Sequence, residues 1–207
     1  MVKFLGICKT MVVTAVLALG LVAVMPQASA AEDIVSLYQG WDSDLQAYTA
    51  KVCKEYDVDE TLVLAVIYNE SRFQSGLTHK NTNGTTDYGP MQVNEVNFDF
   101  LHKELGINSM RELLDDETGI ECGVYLLSYH KAETENDAQA LLRYQVGAGN
   151  YDKMKAGGRT TNKTHTQVLA YQQTIAGYFD SIKKPDTKYK SPYKTLRADA
   201  LFFCAQI

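Results

Sequence analysis

The sequence predicts a mainly α-helical domain in which one long loop interrupts the helices. Apolar residues recur at helical spacing through most of the chain after residue 31. The segment 62–67 is apolar on all sides and follows acidic residues typical of a helix start, as expected of a central buried helix. Residues 72–90 carry no periodic apolar pattern. They are therefore predicted to form a long loop, and such a loop inside a compact domain is usually functional or disordered.

The first thirty residues are predicted to be a secretory signal peptide. Lys3 and Lys9 give a positive start, residues 11–25 are uncharged, and residues 28–30 (Ala-Ser-Ala) have the form of a signal peptidase site. This uncharged run of fifteen residues is shorter than the ~20 that span a bilayer as a helix. Cleavage after residue 30 is therefore favoured over an uncleaved membrane anchor. We expect the protein to be secreted or extracytoplasmic, in the cell wall or periplasm.

The helices follow in order. The first is predicted within 34–56, and the second over 60–71, after a capping sequence at 57–60. Beyond the loop, helical patterns cover 95–105, 110–114, 118–132, 138–144 and 166–182, with glycine pairs breaking the chain between the last two. Residues 31–184 are the predicted domain. Residues 185–207 are a predicted tail, basic with an apolar end, that packs back on the domain or contacts a partner.

Charge limits the classes of partner. The net charge of −5 argues against binding nucleic acid through a basic surface. Cleavage after residue 30 removes two lysines and no acids, which leaves 177 residues with 18 basic groups, 25 acidic groups and a net charge of −7. No later stretch is long and apolar enough for a membrane span, so none is expected after cleavage.

Cysteine and histidine patterns predict neither a metal site nor a cofactor. The chain after residue 30 keeps Cys53, Cys122 and Cys204, and export permits disulfides. A bridge between Cys53 and Cys122 would join two core helices, and two buried unbridged thiols are an equal alternative. There is no CxxC motif and no zinc-like Cys/His spacing. The four histidines are expected to be surface or substrate-side polar groups; they are His79, His102, His130 and His165.

Glu70 is the best single candidate for chemistry, because it ends the most apolar helix and opens the loop. Burial beside an apolar helix disfavours the charged carboxylate and raises its pKa, and the negative end of the helix dipole acts in the same direction. A glutamic acid kept protonated near neutral pH can act as a general acid. By position alone, an ordinary helix-end carboxylate is the commoner case.

Four short motifs follow one another at fitting spacing. The first is Asn69-Glu70-Ser71-Arg72-Phe73, and the second is Asp87-Tyr88-Gly89-Pro90-Met91-Gln92-Val93-Asn94, whose Gly89 lies nineteen residues after Glu70. The third is Arg143-Tyr144-Gln145-Val146 with the Gly-rich turn after it, and the fourth is Tyr171 in the last helix. Together they resemble the lytic transglycosylase family with the soluble-lytic-transglycosylase (SLT), lysozyme-like domain. Residues 83–89 are especially similar to its small, single-domain branch associated with conjugation and secretion apparatus.

That resemblance implies a lysozyme-like helical fold over about 45–182 and a defined reaction. The substrate would be the glycan strands of peptidoglycan, cut at the β-1,4 bond after N-acetylmuramic acid. Most glycosidases use two carboxylates, whereas this family resembles an exception that uses one. Glu70 would protonate the leaving oxygen and then take the proton of the C6 hydroxyl, whose attack on C1 gives a 1,6-anhydro end. A secretion or conjugation apparatus is a possible partner.

The resemblance also assigns roles around the acid. Ser71 would hydrogen-bond near the acid or the substrate, and Tyr144, less firmly Tyr171, would orient Glu70 through a phenol group. Met91 would line the floor of the site or simply pack in the core.

Two amides complete the assigned site. One of them differs from the residue that the family usually has at that position, as Pro90 also does. Gln92 and Gln145 would bind sugar hydroxyl and acetamido groups, since amides donate and accept. Gln145 stands where the family usually has Asn, and Pro90 where it usually has Leu. Proline removes a backbone donor and fixes φ. Each of the two differences can shift substrate preference. Neither removes the acid.

Asp87 leaves an alternative reaction open. As a second carboxylate it could position water, which would make the protein a hydrolytic muramidase. Capping of the turn at 88–89 is favoured, because Asp is common in such turns. A third alternative is a non-catalytic cell-wall-binding or assembly component, which the presence of Glu70 argues against.

Overall fold

A computed structural model describes residues 25–183 of the 207-residue chain. The tail at 185–207, with Cys204, and most of the predicted signal peptide lie outside the described residues. The described residues are mainly α-helical, as predicted. In chain order the elements are α1 (Met25–Gly40), α2 (Ser43–Glu55), α3 (Glu60–Ser71), β1 (Thr78–Lys80), β2 (Thr86–Tyr88), β3 (Val93–Asn94), a 3-10 helix (Glu95–Asn97), α4 (Phe98–Leu105), a second 3-10 helix (Met110–Leu114), α5 (Asp116–Ala132), α6 (Asp137–Val146), α7 (Ala148–Ala156) and α8 (Lys163–Lys183).

The central helix is α3, which packs against α2 and α8. It begins at Asp59, whose carboxylate accepts hydrogen bonds from the backbone N–H groups of Thr61 and Leu62. Every residue in 62–68 is buried, so the helix needs no polar face. It ends at Arg72, which adopts a left-handed conformation with φ 55°. This ending places Glu70 at the edge of the core.

Two helix boundaries differ from the prediction. The single helix predicted within 34–56 is two helices, because the chain breaks at 41–42 and Asp42 caps the start of α2 through its side chain. The cap of α3 is Asp59, two residues after the start of the predicted capping sequence.

An additional helix, α7, forms in 148–156, where the glycines on either side had indicated only a break. Glycine marks the ends of this helix and does not exclude one between them.

The segment predicted as a structureless loop contains a small sheet. Strands β1, β2 and β3 pair antiparallel in that order, with Asp87 opposite both His79 and Asn94. The turn between β1 and β2 passes through Gly84 at φ 90°. The strands are two or three residues long and mostly polar. Because apolar and polar residues do not alternate there, no period-2 pattern indicated these strands.

Glycines on α5 let the turn before β3 lie directly on that helix. A side chain at Gly123 would clash with Met91, and a side chain at Gly119 would come within 2.7 Å of the Pro90 ring. Gly89, at φ 74°, lies so close to the Leu113 carbonyl that no side chain fits there either. Residues 89–92 are therefore fixed between α5 and the cleft described below.

The core also holds two thiols. Cys53 on α2 and Cys122 on α5 are buried and form no disulfide within the described part of the chain. Burial raises the pKa of each thiol to about 12. Of the two alternatives predicted for these cysteines, the structure shows two unbridged thiols and not a disulfide between core helices.

No helix within residues 25–183 is long and apolar enough to cross a bilayer.

Candidate active site

A cleft of about 680 Å³ lies at the C-terminal end of α3. Its walls come from the three-stranded sheet on one side and from α6 with the start of α7 on the other, and α5 contributes Leu126 and His130. Side-chain amides dominate the lining; they include Asn69, Asn81, Asn94, Gln92, Gln145 and Asn150. Two carboxyl groups, those of Glu70 and Asp87, face the same space.

Glu70 combines burial with few charged neighbours. Burial raises the pKa of its carboxyl group, and the negative charge of Asp87 adds to the rise. A hydrogen bond from the Asn69 amide to Oε1, at 3.0 Å, opposes it, as does the amide of Gln145. The net effect keeps the pKa above its usual value, as the sequence predicted for this position. Because Oε1 accepts from Asn69, a proton on the carboxyl group is carried by Oε2.

Asp87 occupies a different setting from the one favoured by the sequence. It lies within β2, and its carboxylate accepts from the Asn94 amide at 2.6 Å and from the Asn81 amide at 2.8 Å. It makes no cap of the turn at 88–89, so that expectation was wrong. Two asparagines instead hold the carboxylate against the cleft, where its charge acts on Glu70.

Gln92 lines the cleft from an unusual backbone conformation. Its φ is 48°, a left-handed value that costs about 1–3 kcal/mol for a residue other than glycine. Its amide nitrogen donates to the Gly89 carbonyl at 2.8 Å, which closes the turn from the inside. Gln92 was predicted to bind sugar groups through an amide that both donates and accepts. The amide nitrogen is used by the fold, so the amide oxygen is the group left for a ligand.

Gln145 reaches the cleft from α6. Its amide lowers the pKa of Glu70, which places it beside the carboxyl group. Both its amide nitrogen and its amide oxygen are nevertheless buried without a hydrogen bond of acceptable geometry in residues 25–183. Leaving such a group unpaired costs about 1–3 kcal/mol. Gln145 therefore acts beside the carboxyl group of Glu70, with its amide covered by the surrounding residues.

The hydroxyl of Tyr144 bonds to a different partner from the one predicted. Its hydroxyl donates to the Met91 carbonyl at 2.8 Å rather than to Glu70. Burial raises the pKa of its phenol well above the usual range, with further contributions from Glu70 and Asp87. Tyr144 thus lies near the acid but holds the turn that carries Gln92.

Three predicted site residues do not line the cleft. Ser71 is buried, and its hydroxyl donates back to the Ile67 carbonyl at 3.0 Å. Met91 is fully buried against α5, which is the core-packing alternative. Tyr171 on α8 packs edge-on against Tyr68, with ring centroids 4.8 Å apart. These residues shape the core around the acid, whereas the resemblance had assigned them to the site itself.

The structure also adds residues that sequence reasoning missed. Asn69, Asn81 and Asn94 bond to the two carboxyl groups. Asn69 and Asn94 stand within the first and second motifs without an assigned role, and for Asn81 the signal was the richness of the loop in asparagine. His165 is buried with 2% of its surface exposed, so the prediction of a surface position was wrong. His130 is also buried, at 8%, but it borders the cleft.

Within residues 25–183, no three His, Cys, Asp or Glu side chains lie together as a metal site would require. The cleft instead offers one carboxyl group that stays protonated to higher pH than usual, among amides suited to an uncharged polar polymer. This arrangement can protonate an oxygen atom of a bound ligand.

A family model described as the transglycosylase SLT domain matches residues 47–167, more than half of the chain. The matched span contains Glu70, Asp87, Gln92 and Gln145, and it ends within the first turns of α8. No curated protein matches the chain significantly.

Proposed function

The chain belongs to the transglycosylase SLT domain family, and on that premise we propose that it cleaves the β-1,4 bond between N-acetylmuramic acid and N-acetylglucosamine in peptidoglycan and leaves 1,6-anhydro ends. Membership of the family supports the general activity, a lytic-transglycosylase type of reaction on peptidoglycan. The specific bond and product are our proposal. The observation that carries it is the raised pKa of Glu70 in a cleft lined by amides.

The reaction uses Glu70 twice. Its protonated Oε2 gives the proton to the glycosidic oxygen as the bond from that oxygen to C1 breaks. The acetamido group of the substrate stabilises the positive charge that develops at C1. The Glu70 carboxylate then removes the proton from the C6 hydroxyl, whose oxygen bonds to C1. The proton lost in the first step is regained in the second, and no water is consumed.

The cleft supports both halves of this reaction. Burial favours the protonated form of Glu70 at the start, and the Asn69 hydrogen bond stabilises the carboxylate in between. The amide oxygen of Gln92 is suited to accept from the acetamido and hydroxyl groups that distinguish this glycan, and the covered amide of Gln145 adds to the stabilisation of the Glu70 carboxylate. Recognition then depends on amides, which agrees with a chain whose net charge is negative.

Mass spectrometry of digested peptidoglycan tests the product. Anhydro ends are about 18 Da, one water, lighter than reducing ends. Glu70→Gln removes the acid and is expected to abolish cleavage. Glu117→Gln is the matched control, because Glu117 is exposed on α5 and does not border the cleft. Full activity in Glu70→Gln would refute the assignment of the acid.

A hydrolytic muramidase is the second candidate, and Asp87 is the observation that favours it. Each of its carboxylate oxygens accepts a single amide hydrogen bond and keeps a further lone pair toward the cleft. A water held there could attack C1 and give reducing ends. Detection of reducing ends alone would replace the transglycosylase by this hydrolase.

The location of the protein is inferred from its substrate. Proteins of this family act on the cell wall, which implies an extracytoplasmic location. We propose in addition that residues 1–30 direct export and are cleaved, and that a secretion or conjugation apparatus is a partner. N-terminal sequencing of the secreted protein tests the first of these, since a chain that retains residues 1–30 would contradict it.

A further inference from the structure

His130 lies in the wall of the cleft, on α5. Its ring is edge-on to the Tyr144 ring, with centroids 6.3 Å apart. Tyr144 and Gln145 follow Arg143 on α6, so one helix supplies the neighbours of both the histidine and the acid. The reaction proposed above assigns His130 no role.

Arg143 fixes which ring nitrogen of His130 carries the proton. Its guanidinium nitrogen lies 3.0 Å from Nδ1 of His130. Arginine is always protonated and only donates hydrogen bonds, so Nδ1 must be the acceptor. Burial and the Arg143 charge lower the pKa of His130 to about 4, which keeps the ring neutral at neutral pH. A neutral ring that accepts at Nδ1 carries its proton on Nε2.

The Nε2–H group has no acceptor among the described residues, and it is not sealed from solvent as the ring nitrogens of His165 are. A donor of this kind at a cleft wall is suited to an oxygen acceptor on a ligand. The carboxylate of Asp87 makes the cleft unfavourable for a negatively charged acceptor. An uncharged carbonyl oxygen is therefore the best match.

We propose that His130 binds substrate by donating a hydrogen bond from Nε2–H to an acetamido carbonyl of the glycan, and that Arg143 is a positioning residue that holds the imidazole in this tautomer. The identity of the ligand rests on the proposed function, whereas the tautomer does not. The positive charge behind the ring also polarises it, which strengthens the donor that faces the cleft.

Two substitutions separate binding from structure. In His130→Gln the amide nitrogen takes the place of Nε2 and keeps the donor. In His130→Asn the side-chain oxygen takes the place of Nδ1, which keeps the acceptor for Arg143 but loses the donor toward the cleft. If His130 binds glycan, Asn weakens binding about five- to tenfold, as expected for one lost hydrogen bond, and Gln does not. A purely structural role predicts the reverse order.

The binding experiment uses tetra-N-acetylchitotetraose and protein carrying Glu70→Gln, so that the probe is not consumed. Calorimetric titration gives the affinities of the two His130 variants and of His79→Asn, a matched control at an exposed position outside the cleft. Equal affinities for all variants, affinity lost in Gln but not Asn, or no binding of the tetrasaccharide would each overturn the proposed contact.

Nitrogen-15 NMR of the imidazole groups tests the tautomer without any ligand. We expect His130 to be protonated at Nε2 alone in the unaltered protein and to become a mixture of tautomers in Arg143→Met. A ring protonated at Nδ1 would overturn the proposal. Failure of the proposed function appears separately, as an absence of anhydro ends in the peptidoglycan digest.

Discussion

The hydroxyl of Tyr144 donates a hydrogen bond to the carbonyl of Met91 at 2.8 Å. This bond connects α6 to the turn at 89–92, where Gln92 holds a left-handed conformation. Met91 itself packs against Gly123 of α5. The turn beside the acid is thus held from two helices, and Gln92 cannot relax without breaking one of these contacts.

Tyr144→Phe is expected to lower stability and activity together. It leaves the Met91 carbonyl without its partner, which costs about 1–3 kcal/mol for a buried group. Freed of this bond, the turn moves Gln92, and kcat/KM falls. Thermal unfolding and digestion kinetics measure the two effects. An unchanged Tm with a shifted pH profile would instead indicate that the phenol acts directly on Glu70, as the sequence had suggested.

Gly123→Ala tests the packing of the turn on α5. The new methyl group would meet Met91, so we expect a loss of about 1–3 kcal/mol from overpacking. Gly177→Ala is the matched control, because nothing lies within 4 Å of a side chain added there in α8. The control should gain about 0.5–1 kcal/mol through helix propensity. Equal urea midpoints for the two variants would contradict the close packing.

Asp87→Asn is expected to move the pH profile to lower pH. The Asp87 charge raises the pKa of Glu70, so its removal lowers that pKa. The general acid must be protonated, and activity therefore falls as pH rises through the pKa of Glu70. The alkaline limb of kcat/KM against pH reports this value for the free enzyme. A profile that loses amplitude without moving would favour the hydrolase, in which Asp87 has its own chemical role.

Acid is expected to destabilise the fold through buried histidine. The folded pKa of His130 is about 4, against about 6.5 when unfolded. The neutral folded ring resists protonation, so stability present above pH 6.5 is lost as pH falls toward 4. The two values correspond to about 3 kcal/mol over that window.

His130→Gln isolates this effect, because glutamine does not titrate. The variant should lose less stability than the unaltered protein between pH 7 and pH 5, as measured by urea unfolding at each value. His165, whose pKa is also lowered by burial, contributes to the slope that remains. Identical slopes in the two proteins would show that folding does not lower the pKa of His130.

The sequence predicted what depends on local pattern. Helical periodicity identified the mainly α-helical class, and the resemblance of the motifs implied its lysozyme-like kind; both are confirmed, and the apolar run at 62–67 identified the central helix. The position of Glu70 at the end of that run predicted a raised pKa, and burial there has that effect. Each of these inferences needed only residues adjacent in the chain.

Prediction from the sequence failed for side chains whose contact partner is distant in the chain. Nothing near Tyr144 indicates that its hydroxyl meets a carbonyl 53 residues earlier. Asp87 resembled a turn residue, because the asparagines that hold it, one just after β1 and one in β3, belong to a sheet with no apolar pattern. The pairing of His130 with Arg143 is likewise invisible until α5 and α6 pack together.

Similarity to the family stops at residue 167, yet α8 continues to Lys183 and packs along α3. Val168 and Ile175 are completely covered, and Tyr171 lies against Tyr68 of the central helix. The boundary of the recognisable domain is therefore not the boundary of the cooperative folding unit. A fragment ending at residue 167 would keep every residue that borders the cleft, but it would expose to water the helix at whose end burial raises the pKa of Glu70.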